Sequence, residues 1–462
     1  MRQATSPLWG ERILNMKNSD KLGTAPVGKL LISFSTPAII GMLVNAIYNV
    51  VDRIFVGQAV GEDALAALSF SFPFMTAIMA AAMLVGLGGT ALVAISLGEG
   101  NSKKAQNILN NVCIFAIILE VIVSVLGYIF LKPLLHAFGT PDGPVMDYAA
   151  EYMNIVLAGS VFQGVGFSLN AIIRSEGNPR MAMVSMLAGA ITNIVFDWLF
   201  TMVIRLGVAG AAIATVMGQF ATMISVLWYF TKKSSIKLSL NGYKPDFSLL
   251  AKVMFIGLSP ALVQFAMATV NILYNNLLME HGGKIAVSAF SVYNSAMTIA
   301  FMPIFGINQG VQPIVGYNYG AKQYGRMKKA MLYGVAAATI FITTCFVLIH
   351  LFPEAIVKAF NDSPELIRLG TQALSTNTLA FPVIGVQIIF SNYFQYINKP
   401  KASTFLSLSR QCLFLIPALL IMANKFGLDG IFYAQPISDF LAAVLSVTWV
   451  SLSMRKLTKT KG

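Results

Sequence analysis

Twelve stretches of largely apolar residues run along the chain, separated by charged or Gly- and Pro-containing segments: 30–56, 64–96, 107–131, 148–172, 182–204, 208–231, 250–279, 285–315, 328–352, 367–395, 402–424 and 428–452. A helix needs about 20 apolar residues to cross the hydrocarbon layer of a bilayer, and every run is at least that long. Several exceed it and contain Gly or Pro, which predicts tilt or bending. The pattern predicts an all-α polytopic membrane protein. Composition agrees: 56% of the 462 residues are hydrophobic and 11% are charged, against about 25% charged in a soluble domain.

The net charge of +13 would suggest nucleic acid in a soluble protein, but its placement argues otherwise. With the N-terminus inside, the inner segments hold 23 of the 32 Lys and Arg and the outer segments 6, with Lys252, Arg368 and Arg410 at helix ends or interiors. Cytoplasmic loops carry such an excess. The charge is therefore topogenic, nucleic acid is not an expected partner, and both termini are predicted in the cytoplasm of a multi-pass cell-membrane protein. The N-terminus is polar and basic for more than twenty residues, which predicts no cleaved leader. Cys113, Cys345 and Cys412 lie scattered in apolar runs and predict inert thiols rather than a disulfide framework or metal site.

An internal repeat organises the runs. "NAIIRSEGNPR" (170–180) faces "SNYFQYINKPK" (391–401), "LGVAGAAIAT" (206–215) faces "FGLDGIFYAQ" (426–435), "VAISLGEG" (93–100) faces "VGYNYGAK" (315–322), and "NAIYN" (45–49) faces "NILYN" (271–275), at separations of 220 to 226. The expected organisation is a tail at 1–29, a six-helix lobe at 30–231, a basic linker at 232–249, a second six-helix lobe at 250–452 and a tail at 453–462. Six is even, so the two lobes are parallel repeats about an axis along the membrane normal. Such lobes around a central cavity suit alternating access.

The acids inside the runs are few, and an ionisable group in hydrocarbon costs roughly 2.5–3.5 kcal/mol on insertion scales. Asn193 and Asp197 are one turn apart on one face. The following turn centres near residue 206, so residues whose numbers sum to about 412 should lie at equal depth. That sets Asp197 level with Thr215 and Asn193 level with Gln219. Asp52 lies in the same outer half, with Arg53 rotated away from it. Two carboxylates, an amide and a hydroxyl are all hard oxygen donors and can hold Na⁺, or the two acids can share protons and titrate as a unit. The alternative is a hydrogen-bond network that locks helices together. By the same rule, Arg410 and Asp439 sum to nearly twice 426 and should pair as a structural ion pair. Glu120 lies near mid-membrane, open between substrate contact and structure. Leu278 and its neighbours, and Pro417, are expected where Asp52 and Asp197 would repeat, so the acidic pocket belongs to the first lobe.

"YNVVDRIFVGQ", "RSEGNPR", the Asn193/Asp197 pair followed by "GVAGAAIAT", "FGINQGVQPIVGYNYGA" and "FGLDG…AQPISD" together resemble the multidrug and toxic compound extrusion (MATE) family, nearest its prokaryotic branch related to DNA-damage-inducible efflux proteins. The resemblance covers roughly residues 25–455. It implies two six-helix lobes in a V and export driven by inward H⁺ or Na⁺. It implies that Asp52, Asn193, Asp197 and Thr215 form the cation-coupling site, and the metal site if the ion is Na⁺. It also suggests that Pro37 permits bending of the first span. The second-lobe acid of the family's other prokaryotic branch is missing inside the seventh span, where only Glu280 stands at the end.

The expected function is a secondary active multidrug efflux transporter that exchanges amphipathic or cationic organic compounds for H⁺ or Na⁺. It is expected to act as a monomer in the bilayer with no bound cofactor. Gln219, Glu120, Gln264, Asn275, Asn308 and Gln312 are its candidate cavity residues. The 23 Met and 32 Phe fit a promiscuous apolar site as well as ordinary membrane composition. A lipid-linked saccharide flippase is the alternative, disfavoured by twelve spans and an acidic first lobe. No enzyme is expected: no nucleophile or metal constellation appears, and "GLGG" (86–89) lacks the Lys-Ser/Thr of a phosphate loop.

Overall fold

A computed structural model describes residues 20–239, 245–360 and 363–459. Most of the expected N-terminal tail, the linker's residues 240–244 and the last three residues lie outside it. The first six long helices are α1 (Val27–Ala59), α2 (Glu62–Gly98), α3 (Ser102–Ala137), α4 (Pro144–Ser175), α5 (Pro179–Asp197) and α6 (Val208–Trp228). A π-helical turn prolongs α5 (Trp198–Val203), and another prolongs α6 (Tyr229–Lys233). Asn101 and Asn178 cap α3 and α5 by accepting the backbone N–H groups of Lys104 and Met181. α1 runs unbroken through Pro37.

The helical stretch Phe247–Gly320 has 74 residues, roughly 110 Å if straight and several times a membrane's thickness. It is not straight. Gly283 adopts φ 65°, ψ −165°, a left-side backbone that glycine tolerates. The rings of Tyr274 and Phe290 stack 4.4 Å apart across it. The stretch is thus a hairpin of α7 (247–282) and α8 (284–320). α9 follows (Tyr324–Leu351), then α10, built of Pro364–Asn377 and Phe381–Tyr396 meeting at 52°. A second hairpin turns at Gly427 (φ 58°) between α11 (400–426) and α12 (428–459). Its arms are bridged by Arg410 and Asp439, 2.7 Å apart. Nine stretches among the described residues are long and apolar enough to cross a membrane. Dividing two of them at their glycine hairpins and counting α10 as a bent span gives the twelve expected from the sequence. The break in α10, the short helix Pro353–Lys358 and the π-helical turns carry no signal in the apolar runs.

The two halves of the chain meet along a seam of backbone contacts. A Cβ on Gly88 of α2 would stand 2.0 Å from the Val253 carbonyl oxygen of α7, and one on Gly257 of α7 would stand 1.8 Å from that of Leu84. Gly98 and Gly320 face each other's helices the same way, 2.0 Å from the Tyr317 oxygen and 2.1 Å from the Ile95 oxygen. Gly310 of α8 abuts Ser35 of α1, whose backbone nitrogen lies 2.9 Å from its Cβ position. The pairs Gly88/Gly310, Gly98/Gly320 and Ser35/Gly257 are each 222 residues apart. One half's contacts thus repeat in the other's, as a two-fold arrangement requires. The turn glycines Gly61 and Gly283 keep the same separation. The likeness of 45–49 to 271–275, at 226, is therefore one helical turn out of register, and Tyr274, not Leu278, stands at the place of Asp52.

All these seam contacts lie toward the end of the bundle where α1 and α7 begin and α2 and α8 finish, here called the terminal face. Two straps hold that face. The Arg326 guanidinium of α9 donates to the carbonyls of Leu22 and Ala25, and the Asn318 amide of α8 also donates to Leu22. The Glu176 carboxylate accepts from the Ser234 hydroxyl at 2.8 Å and from Ser235 and Ile236, while Asn110 and Asn111 of α3 hold Ser239 and Asp246.

Overpacking of this kind costs about 1–3 kcal/mol. Gly257→Ala should lower the melting temperature of the purified protein by several degrees, whereas Gly325→Ala, whose Cβ would meet nothing within 4 Å, should not. Equal melting of the two variants would refute the seam's tightness.

Candidate functional site

α5 and α6 lie unusually close because glycine faces glycine. A Cβ on Gly218 would be 2.8 Å from the Gly189 oxygen and 2.9 Å from the Asn193 Cβ. Asn193 thus sits opposite residue 218, one position from the depth match expected from the turn. The α5 face that carries Asn193 continues to Asp197, the last residue before the π-helical turn. Such turns widen a helix by one residue and recur at functional sites. Here the Thr201 hydroxyl donates to the Asp197 backbone carbonyl at 2.5 Å.

Asp52 of α1 reaches this point from the other side. Its carboxyl group is a neighbour of that of Asp197, with no hydrogen bond joining the two. Tyr152 of α4 reaches Thr215 and lies beside Asp52, Asp197 and Tyr48. Four helices therefore bring two carboxyls, an amide, a threonine hydroxyl and two phenols together. Asn193 and Asp197 are buried, Asp52 and Thr215 half-buried. Both carboxyl oxygens of Asp197, both amide atoms of Asn193 and one Asp52 oxygen are buried without a hydrogen-bond partner. Unpaired buried polar atoms are costly, and native structures satisfy nearly all of them. Arg53, next to Asp52 in the chain, is exposed and makes no ion pair with either acid. A small cation bound by oxygen donors is the chemistry these groups share.

The remaining sequence candidates are spread out. Gln219 donates to the Gln163 side chain of α4 at 3.0 Å. Glu120 is buried on the Gly164 backbone of α4, with neither carboxyl oxygen hydrogen-bonded. Asn308 accepts the Tyr396 hydroxyl proton, and Gln312 is buried with its amide nitrogen unpaired. Gln264 is half-buried and Asn275 exposed. Measured from the turn at Gly283, Asn275 and Gln312 differ in depth by roughly 30 Å at 1.5 Å per residue, so these two do not meet. A cavity of about 390 Å³ opens at the break in α10, lined by apolar groups such as Leu379, Tyr433, Ile437 and Phe440. All of its lining residues belong to the second half of the chain. Among the described residues no cluster of three His, Cys, Asp or Glu could hold a metal ion; the acids here are two. Tyr152 and Tyr48 were missed from the sequence. Tyr48 could have been found, one turn before Asp52, whereas nothing local marks Tyr152.

A family model described as MatE matches residues 37–199 and 260–447. Multidrug export protein MepA of Staphylococcus saprophyticus is 24% identical over 436 residues, 94% of this chain and 96% of that one. MepA of Staphylococcus aureus strain MSSA476 is 24% identical over 435 residues, with the same coverage. A solved structure described as the outward-facing conformation of a multidrug resistance MATE family transporter of the MOP superfamily matches with TM-score 0.90 at 25% identity, over 96% of this chain and 99% of that one.

One hydrogen bond contributes about 0.5–1.5 kcal/mol net. Tyr152→Phe, which removes the hydroxyl beside Thr215, should therefore weaken the site's apparent affinity for its cation roughly 2- to 10-fold, read as a smaller cation-dependent rise in melting temperature. An unchanged rise would remove Tyr152 from the site.

Proposed function

The chain belongs to the MatE family, and from that premise we propose that it is a secondary active exporter of amphipathic or cationic organic compounds, driven by inward movement of H⁺ or Na⁺. The observation that carries the reading is the meeting of Asp52 and Asp197 beside Asn193 and Thr215, with most of their polar atoms buried and unpaired. The export function of the MepA relatives supports the choice of organic substrates over the lipid-linked saccharide alternative.

In this reading the terminal face is cytoplasmic, because the excess Lys and Arg lie there, and the protein sits in the plasma membrane as a single copy. The halves are the lobes 30–231 and 250–452. The seam closes the path to the cytoplasm, and the acid pair, in the opposite half of the bundle, faces outward. A proton or Na⁺ entering from outside binds between Asp52 and Asp197 and favours release of the organic substrate outward. Loss of the ion to the cytoplasm resets the lobes. Coupling requires that the ion bind the two states with different affinity. The contacts Asp52 and Tyr48 make from α1 to α4 and α5 are the ones whose energy the ion changes.

The test is transport in proteoliposomes with a Na⁺ gradient and a pH gradient imposed separately, following a fluorescent organic cation. Asp52→Asn and Asp197→Asn should each insert, fold and lose gradient-driven export. Wild-type export by either variant would overturn the site, and export driven by neither gradient would overturn the function.

A further inference from the structure

We propose that the second half contains a counterpart of the cation site, permanently occupied by the guanidinium of Arg410 instead of an exchangeable ion. The inference rests on the cation-coupled reading of the first half's acid pair. Its basis is a register fixed by the turn residues, in which Thr215 and Asp52 meet Gln435 and Tyr274 while Arg410 and Asp439 fall about one turn away, on Gly189 and Gln219. Gly207 and Gly427 turn the two hairpins with φ 65° and 58°, which sets α6 against α12 at a separation of 220. Thr215 then corresponds to Gln435, Gly218 to Ser438 and Gln219 to Asp439. Gly177 and Asn398, both at positive φ, set α5 against α11 at 221, so Gly189 corresponds to Arg410 and Asp197 to Ala418 rather than to the expected Pro417. A contact confirms it. Gly189 abuts Gly218, and Ser438 donates its hydroxyl to the Arg410 carbonyl at 2.7 Å. Gly61 and Gly283 place Tyr274 where Asp52 stands.

These four second-half residues form one chain of bonds. Arg410 Nε donates to Asp439 Oδ1 at 2.7 Å. The Gln435 amide donates to both Asp439 oxygens at 3.1 Å. The Tyr274 hydroxyl donates to Gln435 Oε1 at 3.4 Å. Tyr293 is the other titratable group facing Arg410 and Asp439. The Asp439 side chain is 1% exposed. The first half's site holds two carboxyls, and its nearest basic group, Arg53, is exposed and pairs with neither. The second half's holds one carboxylate and a cation that a protein cannot deprotonate. The second is therefore already neutral and exchanges nothing, and ion-driven movement originates in the first half alone. Neutralising residue 410 while Asp439 stays buried should unmask a site for H⁺ or Na⁺.

The test counts ions bound per purified full-length chain, protons by potentiometric pH titration and Na⁺ by a radioactive-sodium binding assay. Asp52→Asn/Asp197→Asn should remove the wild type's exchangeable ion. Adding Arg410→Gln to that background should restore a single ion per chain, and adding Asp439→Asn as well should abolish it. Arg410→Lys should restore none. A cooperatively melting Arg410→Gln variant of that background that binds no ion would overturn the proposal and leave the pair a plain structural bridge. If Arg410→Gln does not fold, Asp439→Asn in the wild type decides. An unchanged ion count supports permanent occupancy, and a reduced count overturns it. Equal counts for the wild type and Asp52→Asn/Asp197→Asn would instead sink the reading of the first site, while the comparison at residue 410 would still stand.

Discussion

The carbonyl oxygens of Val253 and Leu84 stand where side chains on Gly88 and Gly257 would otherwise be. In a bilayer, helices gain little by hiding apolar surface from one another, because lipid tails are as apolar as leucine. Close van der Waals packing at small residues is what holds them. The seam is built from such packing, and its repeat at 222 residues makes each half the other's template. Because these contacts are confined to the terminal face, helices α1 and α7 leave the seam toward the opposite side, where Asp52 lies. The seam's glycines thus fix where α1 and α7 part, and a second pair, Gly189 and Gly218, sets α5 against α6 beside the acids.

The acid pair has the opposite character. The seam is tightly packed, largely apolar and close to symmetric. The site is polar, unsatisfied and found in one half only. Asp197 ends a regular helix at a π-helical turn, and the glycines at 189 and 218 draw α6 in until Asn193 and Thr215 are neighbours of the carboxyls. Removing charge from water is costly, so in the cation-coupled reading the two neighbouring carboxyls are balanced by a mobile ion. Arg410 shows what the same architecture looks like when the cation is part of the chain.

Much of this was legible in the sequence. Spans follow from run length, since a bilayer imposes the length. The depth rule for hairpins placed Asn193 within one residue of its neighbour and paired Arg410 with Asp439 correctly, because two tightly turned helices have little freedom to slip. The rule says nothing about a third helix, so Tyr152, brought in from α4 by packing alone, escaped it. The repeat was visible where glycine and proline carry it, at 98/320 and 179/400. It was misread at 45–49, where a likeness of Asn and Tyr fell one turn from the true register. Glu176 also escaped notice: "RSEGNPR" marks a turn, but only the fold shows its carboxylate gathering the Ser234–Ile236 backbone.

The straps have a mechanical consequence. The first half's leading segment is tied by Arg326 and Asn318 to the second half. The segment between α6 and α7 is tied to the first half, by Glu176 at its start and by Asn110 and Asn111 further along. Crossed tethers of this kind resist sliding and separation while leaving rotation about their crossing point unopposed, as in a flexure pivot. In the alternating-access reading, a rocking of one half against the other about this face needs no melted joint.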